Sequence, residues 1–184
     1  MKLAKPEKDT PAVNNVQWSP PSENFYKLNV DASFLDSSKR GGWGFVLRDQ
    51  DGLFLEGGAG NIPRVANALH AEAMAALAGL ERAAQLGMER IVLETNESVL
   101  GRAITSDTMD QSEGGGLFRR IRDFMRLSFS SYLVSVCPRI CNRVADALAT
   151  CGVSALPVGE HVYWCQAPSF VAKFVSGDKP VARG

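Results

Sequence analysis

Lys27-Leu-Asn-Val-Asp-Ala-Ser33 decides how this chain is read. Beginning at Phe25, the apolar residues Tyr26, Leu28 and Val30 alternate with Lys27, Asn29 and Asp31, the period of a strand with one buried face. Asp is disfavoured in strands. Asp31 in this setting therefore asks for a positive partner or a metal ion.

Working outward, Gly41-Gly-Trp-Gly-Phe-Val-Leu-Arg48 predicts a second strand, and Asp51-Gly52 a tight turn into a third that begins at Leu53-Phe-Leu-Glu56. Short connections make these three an antiparallel meander. The period then changes. Asn67 is an N-cap, Leu69, Ala73, Ala76, Leu77, Leu80 and Ala84 recur at helical spacing, and Gly87 ends the helix. Ile91-Val-Leu93 is a short strand reached by a crossover, which implies a parallel pairing. A short helix over Glu97–Thr105 and an acidic loop with Asp107, Asp110 and Glu113 come next. A helix over Leu117–Leu127 follows, with Leu117, Ile121, Phe124, Met125 and Leu127 as its apolar positions. Ser131–Cys137 is a fifth strand and Cys141–Cys151 a last helix. The predicted class is α/β: a mixed five-stranded sheet, three antiparallel strands and then two more, flanked by helices in the order βββαβααβα. Residues 1–24 read as an extended N-terminal arm that Trp18 pins, 25–152 as the domain, and 153–184 as a C-terminal tail packing partly on it.

Composition limits the function classes. With 184 residues, 45% apolar and 22% charged, the chain can bury one substantial core. No apolar run is long enough to span a bilayer, and Met1–Thr10 lacks the apolar core of a signal peptide. An intracellular protein is expected, nuclear or cytoplasmic without distinction. Cys137, Cys141, Cys151 and Cys165 follow no paired zinc spacing and read as reduced thiols. Twenty basic residues balance twenty acidic ones, which argues mildly against tight unspecific nucleic-acid binding and leaves room for a local patch.

Three further polar residues join Asp31. Glu72 lies on or beside the apolar stripe of its helix, where a carboxylate is costly unless paired; its local alternative is interaction with the helix N-terminus. Asn96 ends the crossover strand, where Asn often caps the next element. Asp146 sits in an Ala/Leu-rich helix. Each has an ordinary structural role when taken singly. As a set they can converge at one edge of such a sheet, where paired divalent cations would orient a water and stabilise the leaving oxygen of a phosphodiester.

From about Val16 to about Asp178 the chain resembles the plant-type RNase H-like domain, often described as reverse-transcriptase-like. The resemblance rests on Trp18-Ser-Pro-Pro21, Lys27–Phe34, Gly42–Asp49, His70-Ala-Glu-Ala-Met-Ala-Ala-Leu77, Ile91–Ser98, Pro138–Ala149 and the ending Tyr163–Phe170. It implies an RNA–DNA hybrid ribonuclease using Mg²⁺ or Mn²⁺, with Asp31, Glu72 and Asp146 as metal ligands and Asn96 in the fourth catalytic position. That position is where the chain departs from the pattern. Glu94-Thr-Asn96 stands where the family reads Glu-Thr-Asp or Glu-Ser-Asp. Asn keeps the shape and removes a full charge. Pro138-Arg139 stands where active enzymes often carry a His, and neither His70 nor His161 replaces it.

Arg119, Arg122 and Arg126 line one side of a helix, and Arg139, Asn142 and Arg143 extend the set. They read either as a phosphate track or as a solvated face. Trp43 reads as a base-stacking platform or, more simply, as packing. Three functions stay open: a metal-dependent endonuclease, a domain that binds nucleic acid without turnover, and a protein-interaction module such as one built into a larger plant protein of the immune-receptor kind.

Overall fold

The computed structural model describes residues 16–178. Six strands form one sheet in the order β5-β4-β1-β2-β3-β6. They are β1 (Tyr26–Leu35), β2 (Arg40–Arg48), β3 (Phe54–Ile62), β4 (Arg90–Thr95), β5 (Ser131–Val136) and β6 (His161–Trp164). The helices are α1 (Ala68–Gln85), α2 (Ser98–Ala103), α3 (Gly115–Ser128), α4 (Arg143–Ser154) and α5 (Ser169–Asp178), with a 3-10 turn at Arg139–Cys141. β1, β2 and β3 pair antiparallel, while β4 pairs parallel with β1 and β5 parallel with β4.

The five expected strands are present, and the tail adds a sixth. His161–Trp164 pairs antiparallel with β3, covering an edge that the meander leaves open. Four residues between Gly- and Pro-containing turns give too short an alternation to read as a strand. β1 also runs on to Leu35, so Asp31 lies inside the strand and not at its end.

Two cores sandwich the sheet. Leu28, Val30, Phe45, Leu47, Ile91 and Leu93 meet α1, α2 and α3 on one face. Val46, Phe54 and Ala59 meet α4 and α5 on the other. Each fully buried Leu or Phe of this kind contributes roughly 1.5–3 kcal/mol. In α3 the inward stripe is Phe118, Ile121 and Met125, whereas Leu127, expected among the apolar positions, is 78% exposed. The spacing 118, 121, 125 defines the inner face, and position 127 falls on its far side.

Helix α1 starts as expected: Asn67 Oδ1 accepts from His70 N at 2.9 Å. Helix α4 lies almost on the backbone of β2. A Cβ at Gly44 would stand 2.2 Å from Ala149 N, and one at Gly152 2.5 Å from Gly60 O. Gly44 is the antiparallel partner of Asp31, so this close approach carries the first turn of α4 to β1. Trp43 packs: its ring stacks on Phe45 with centroids 5.8 Å apart and lies over Gly60. Among the described residues no helix is long and apolar enough to cross a membrane.

Candidate functional site

Alternation along β1 sends Leu28 and Val30 into the first core and turns Lys27, Asn29 and Asp31 toward α4. β4 runs parallel with Asn29 opposite Glu94, so Glu94 and Asn96 share that side. A helix covers it, and each polar group there must find a partner. Lys27 Nζ meets Glu94 Oε1 at 2.9 Å, both nearly buried. Arg48 NH1 meets Asp178 Oδ2 at 2.9 Å, and its guanidinium stacks on Trp18 at 3.6 Å. Both oxygens of Glu94 are therefore engaged, one by Lys27 and the other by Asn29.

The direction of these bonds follows from the donors. An indole N–H and a guanidinium can only donate. Trp18 Nε1 and Arg48 NH2 both point at Asn29 Oδ1, at 2.9 and 3.1 Å. Asn29 Nδ2 must then donate, and it does so to Glu94 Oε2 at 2.8 Å and Asn142 Oδ1 at 3.2 Å. This orients Asn142, whose Nδ2 donates to Val30 O at 2.8 Å and to Asn96 Oδ1 at 2.7 Å. The oxygen of Asn96 thus accepts one bond inside the protein, and its other side-chain atom is an N–H donor. The relay through Trp18, Asn29 and Asn142 was not part of the sequence reading. The signal for it was the place of Asn29 on the same strand face as Asp31.

Asp31 is buried, with its Oδ1 accepting from Ala32 N at 2.9 Å. Glu72, near the start of α1, brings its carboxyl beside that of Asp31. Burial pushes Asp31 up to about 6. Burial and the neighbouring Asp31 charge push Glu72 up to about 9. Each carboxyl thus resists ionisation while its neighbour is charged. Glu72 Oε2 is buried with no hydrogen-bond partner among the described residues. Asp146, in the first turn of α4, lies close enough for its charge to raise Asp31. Arg139 NH2 sits 3.4 Å from Asp146 Oδ1. Among the described residues, no three acidic, His or Cys side chains gather tightly enough to hold an ion as they stand. The structure thus brings Asp31 and Glu72 into contact, sets Asp146 beside them under Arg139, and turns Asn96 toward Asn142.

The arginine set divides. Arg122 bonds Ala103 O and Ser106 O at 2.7 Å and pairs with Asp110, stapling the acidic loop. Asn142 is 1% exposed, and all its bonds are internal. Arg119 is exposed, Arg126 pairs with Asp123 at the surface, and Arg143 approaches Asp178 at 3.9 Å. His70 Nδ1 accepts from Ala66 N at 3.1 Å, a bond of the helix start. The four thiols are free, and burial pushes Cys137 up to about 12, which keeps it unreactive.

Residues 29–152 match the family described as reverse transcriptase-like. Among solved structures, the chain is similar to RNase H1 from the halophilic archaeon Halobacterium salinarum: 27% identity over 70% of this chain and 96% of that one, with a TM-score of 0.60. It is also similar in fold to the N-terminal RNase H domain of a Mycobacterium tuberculosis protein, at 20% identity over 71% and 94% of the two chains and a TM-score of 0.65. A third is LC11-RNase H1, from compost, in complex with an RNA/DNA hybrid, at 20% identity over 68% and 94% and a TM-score of 0.62. No curated protein matches.

Proposed function

The chain belongs to the reverse transcriptase-like family and has an RNase H-like fold, and from that premise we propose that it is an RNA–DNA hybrid-directed nucleic-acid domain whose metal site is degenerate. The observation that carries the proposal is the Asp31–Glu72 carboxylate pair, with Asp146 beside it and a neutral, inward-bonded Asn96 in the fourth position.

A hard divalent cation fits the first part of this set. Two neighbouring carboxylates, one with an unpartnered oxygen, are hard oxygen donors whose mutual repulsion a cation would relieve. Asn96 fits less well, because it brings no charge and one lone pair of its oxygen already accepts from Asn142. Asp31 and Glu72, with Asp146, would hold Mg²⁺ or Mn²⁺. Cations held there would supply an activated water and stabilisation of the leaving oxygen. This chain brings one charge fewer to that task than a four-carboxylate site would. Arg119, Arg126, Arg139 and Arg143 are its surface cations for phosphates; Arg122 and Asn142 serve the loop and the relay.

A second reading, an inactive RNase H-like domain kept for binding nucleic acid or protein, is favoured by the pairing of Arg139 with Asp146, which already partly neutralises a ligand. One experiment separates them: hybrid cleavage with Mg²⁺ or Mn²⁺ by the wild type, Asn96→Asp and Asp31→Asn. Wild-type activity that Asp31→Asn abolishes establishes the enzyme. Activity appearing only in Asn96→Asp establishes a site silenced at one ligand. No activity in any of the three, with no hybrid bound at low salt, rejects the nucleic-acid reading in favour of a protein-interaction module.

A further inference from the structure

β5 closes one end of the sheet and pairs only with β4. Ser131 N donates to Glu89 O at 3.4 Å, and Cys137 N to Thr95 O at 2.9 Å. Residues bonding a given neighbour alternate along a parallel strand. Ser131, Leu133, Ser135 and Cys137 therefore turn their backbone groups to β4. Tyr132, Val134 and Val136 turn theirs outward, and no other described residue bonds them. Exposed edges are usually guarded by charge, proline or a bulge. Ser131-Tyr-Leu-Val-Ser-Val136 has none of these, and Tyr132, Leu133 and Val136 are 39%, 56% and 50% exposed.

We propose that β5 is a dimerisation edge, pairing antiparallel with β5 of a second copy about a two-fold axis at Val134. A second copy fits this edge in one register. With Val134 facing its own counterpart, Tyr132 faces Val136 of the other copy and Val136 faces Tyr132. Each of these is a doubly hydrogen-bonded pair, so every outward N–H and C=O of both strands is satisfied. Centring the axis at residue 133 or 135 strands one outward residue on each copy. Tyr132 beside a valine is a favourable aromatic on β-branched cross-strand pair, and Leu133 falls opposite Ser135. The strand carries no charge, and the chain balances twenty basic against twenty acidic residues, so neither opposes a like copy. An isologous contact needs such a self-complementary surface. The inference is independent of the function proposed above.

The test is the mass of the full chain by sedimentation equilibrium over a concentration series. A dimer is expected. Val136→Pro removes an outward N–H that the β4 ladder does not use, and Tyr132→Lys places two charges in the interface; each should weaken dimerisation by about tenfold or more. Circular dichroism confirms that each variant is folded, and Tyr132→Lys carries the test if the proline variant is not. Mixing Leu133→Cys with Ser135→Cys copies should give a disulfide specific to this register. A wild type that stays monomeric at its highest soluble concentration overturns the proposal. So does a dimer untouched by the edge variants, which would place the interface elsewhere.

Discussion

Asn142 Nδ2 donates to Asn96 Oδ1 at 2.7 Å, and this one bond decides which end of Asn96 is free. Asn→Asp at position 96 keeps the bond, since one carboxylate oxygen still accepts from Asn142, and leaves a second oxygen for a cation. Asn96→Asp should therefore tighten Mn²⁺ binding, read by calorimetry, and raise hybrid cleavage by ~10²–10³, the scale of a single electrostatic contact in a transition state. Unchanged metal affinity would mean that the new carboxylate does not reach the cation.

Asn142→Leu removes the middle of the relay and leaves Val30 O and the Asn29 amide short of a partner. An unsatisfied buried group costs about 1–3 kcal/mol. Urea denaturation should show a loss in that range, with the folded spectrum retained.

The Asp31–Glu72 pair sets a pH dependence. Glu72 moves from an ordinary 4.5 to about 9, and Asp31 from 3.8 to about 6. Values raised in the folded state mean that folding takes up protons, so this contribution is complete below the unfolded values and is lost as pH rises. Across pH 4.5 to 9 the metal-free protein should lose melting temperature, and Glu72→Gln should flatten the decline. Mg²⁺ should raise Tm more at pH 9 than at pH 4.5, because the cation takes the place of the proton. A Glu72→Gln profile parallel to the wild type removes the pair as the cause.

Arg48 and Asp178 join the tail to the sheet, with side chains 1% and 3% exposed. Removing one partner of such a pair strands the other charge and costs about 3–5 kcal/mol. Asp178→Ala should show that loss in chemical denaturation. A chain ending at residue 152 should be weaker still, since it also lacks β6 and the α5 residues Val171 and Val175 of the second core.

Gly44→Ala tests what holds α4 to the sheet. Its methyl would meet Ala149 N at 2.2 Å and Ala145 O at 2.5 Å, both backbone atoms that cannot turn aside. Overpacking of this kind costs about 1–3 kcal/mol. The same substitution should lower metal affinity by moving Asp146 away from Asp31, whereas Gly116→Ala, with open space around it, should leave affinity unchanged.

Much of this was legible in the chain. The alternation over Tyr26–Asp31, the Asn67 cap and the crossover to Ile91 are local patterns, and each became the expected element. β6 was not legible, because four residues give too little alternation and their pairing depends on a β3 edge some hundred residues earlier. Leu127 was misplaced because apolar type does not identify a helix face when the stripe that packs is set by Phe118, Ile121 and Met125.

Sequence alone determined the order of the nine strands and helices from β1 to α4 and placed the four polar residues on or beside them, because period, capping and residue type are properties of a few neighbouring positions. Tertiary structure alone decided that the Asp31 and Glu72 carboxyls stand together and that the oxygen of Asn96 accepts from Asn142. Hydrogen-bond direction is set by which donors meet in space, and Asn29 and Asn142, which pass that direction on, stand 113 positions apart.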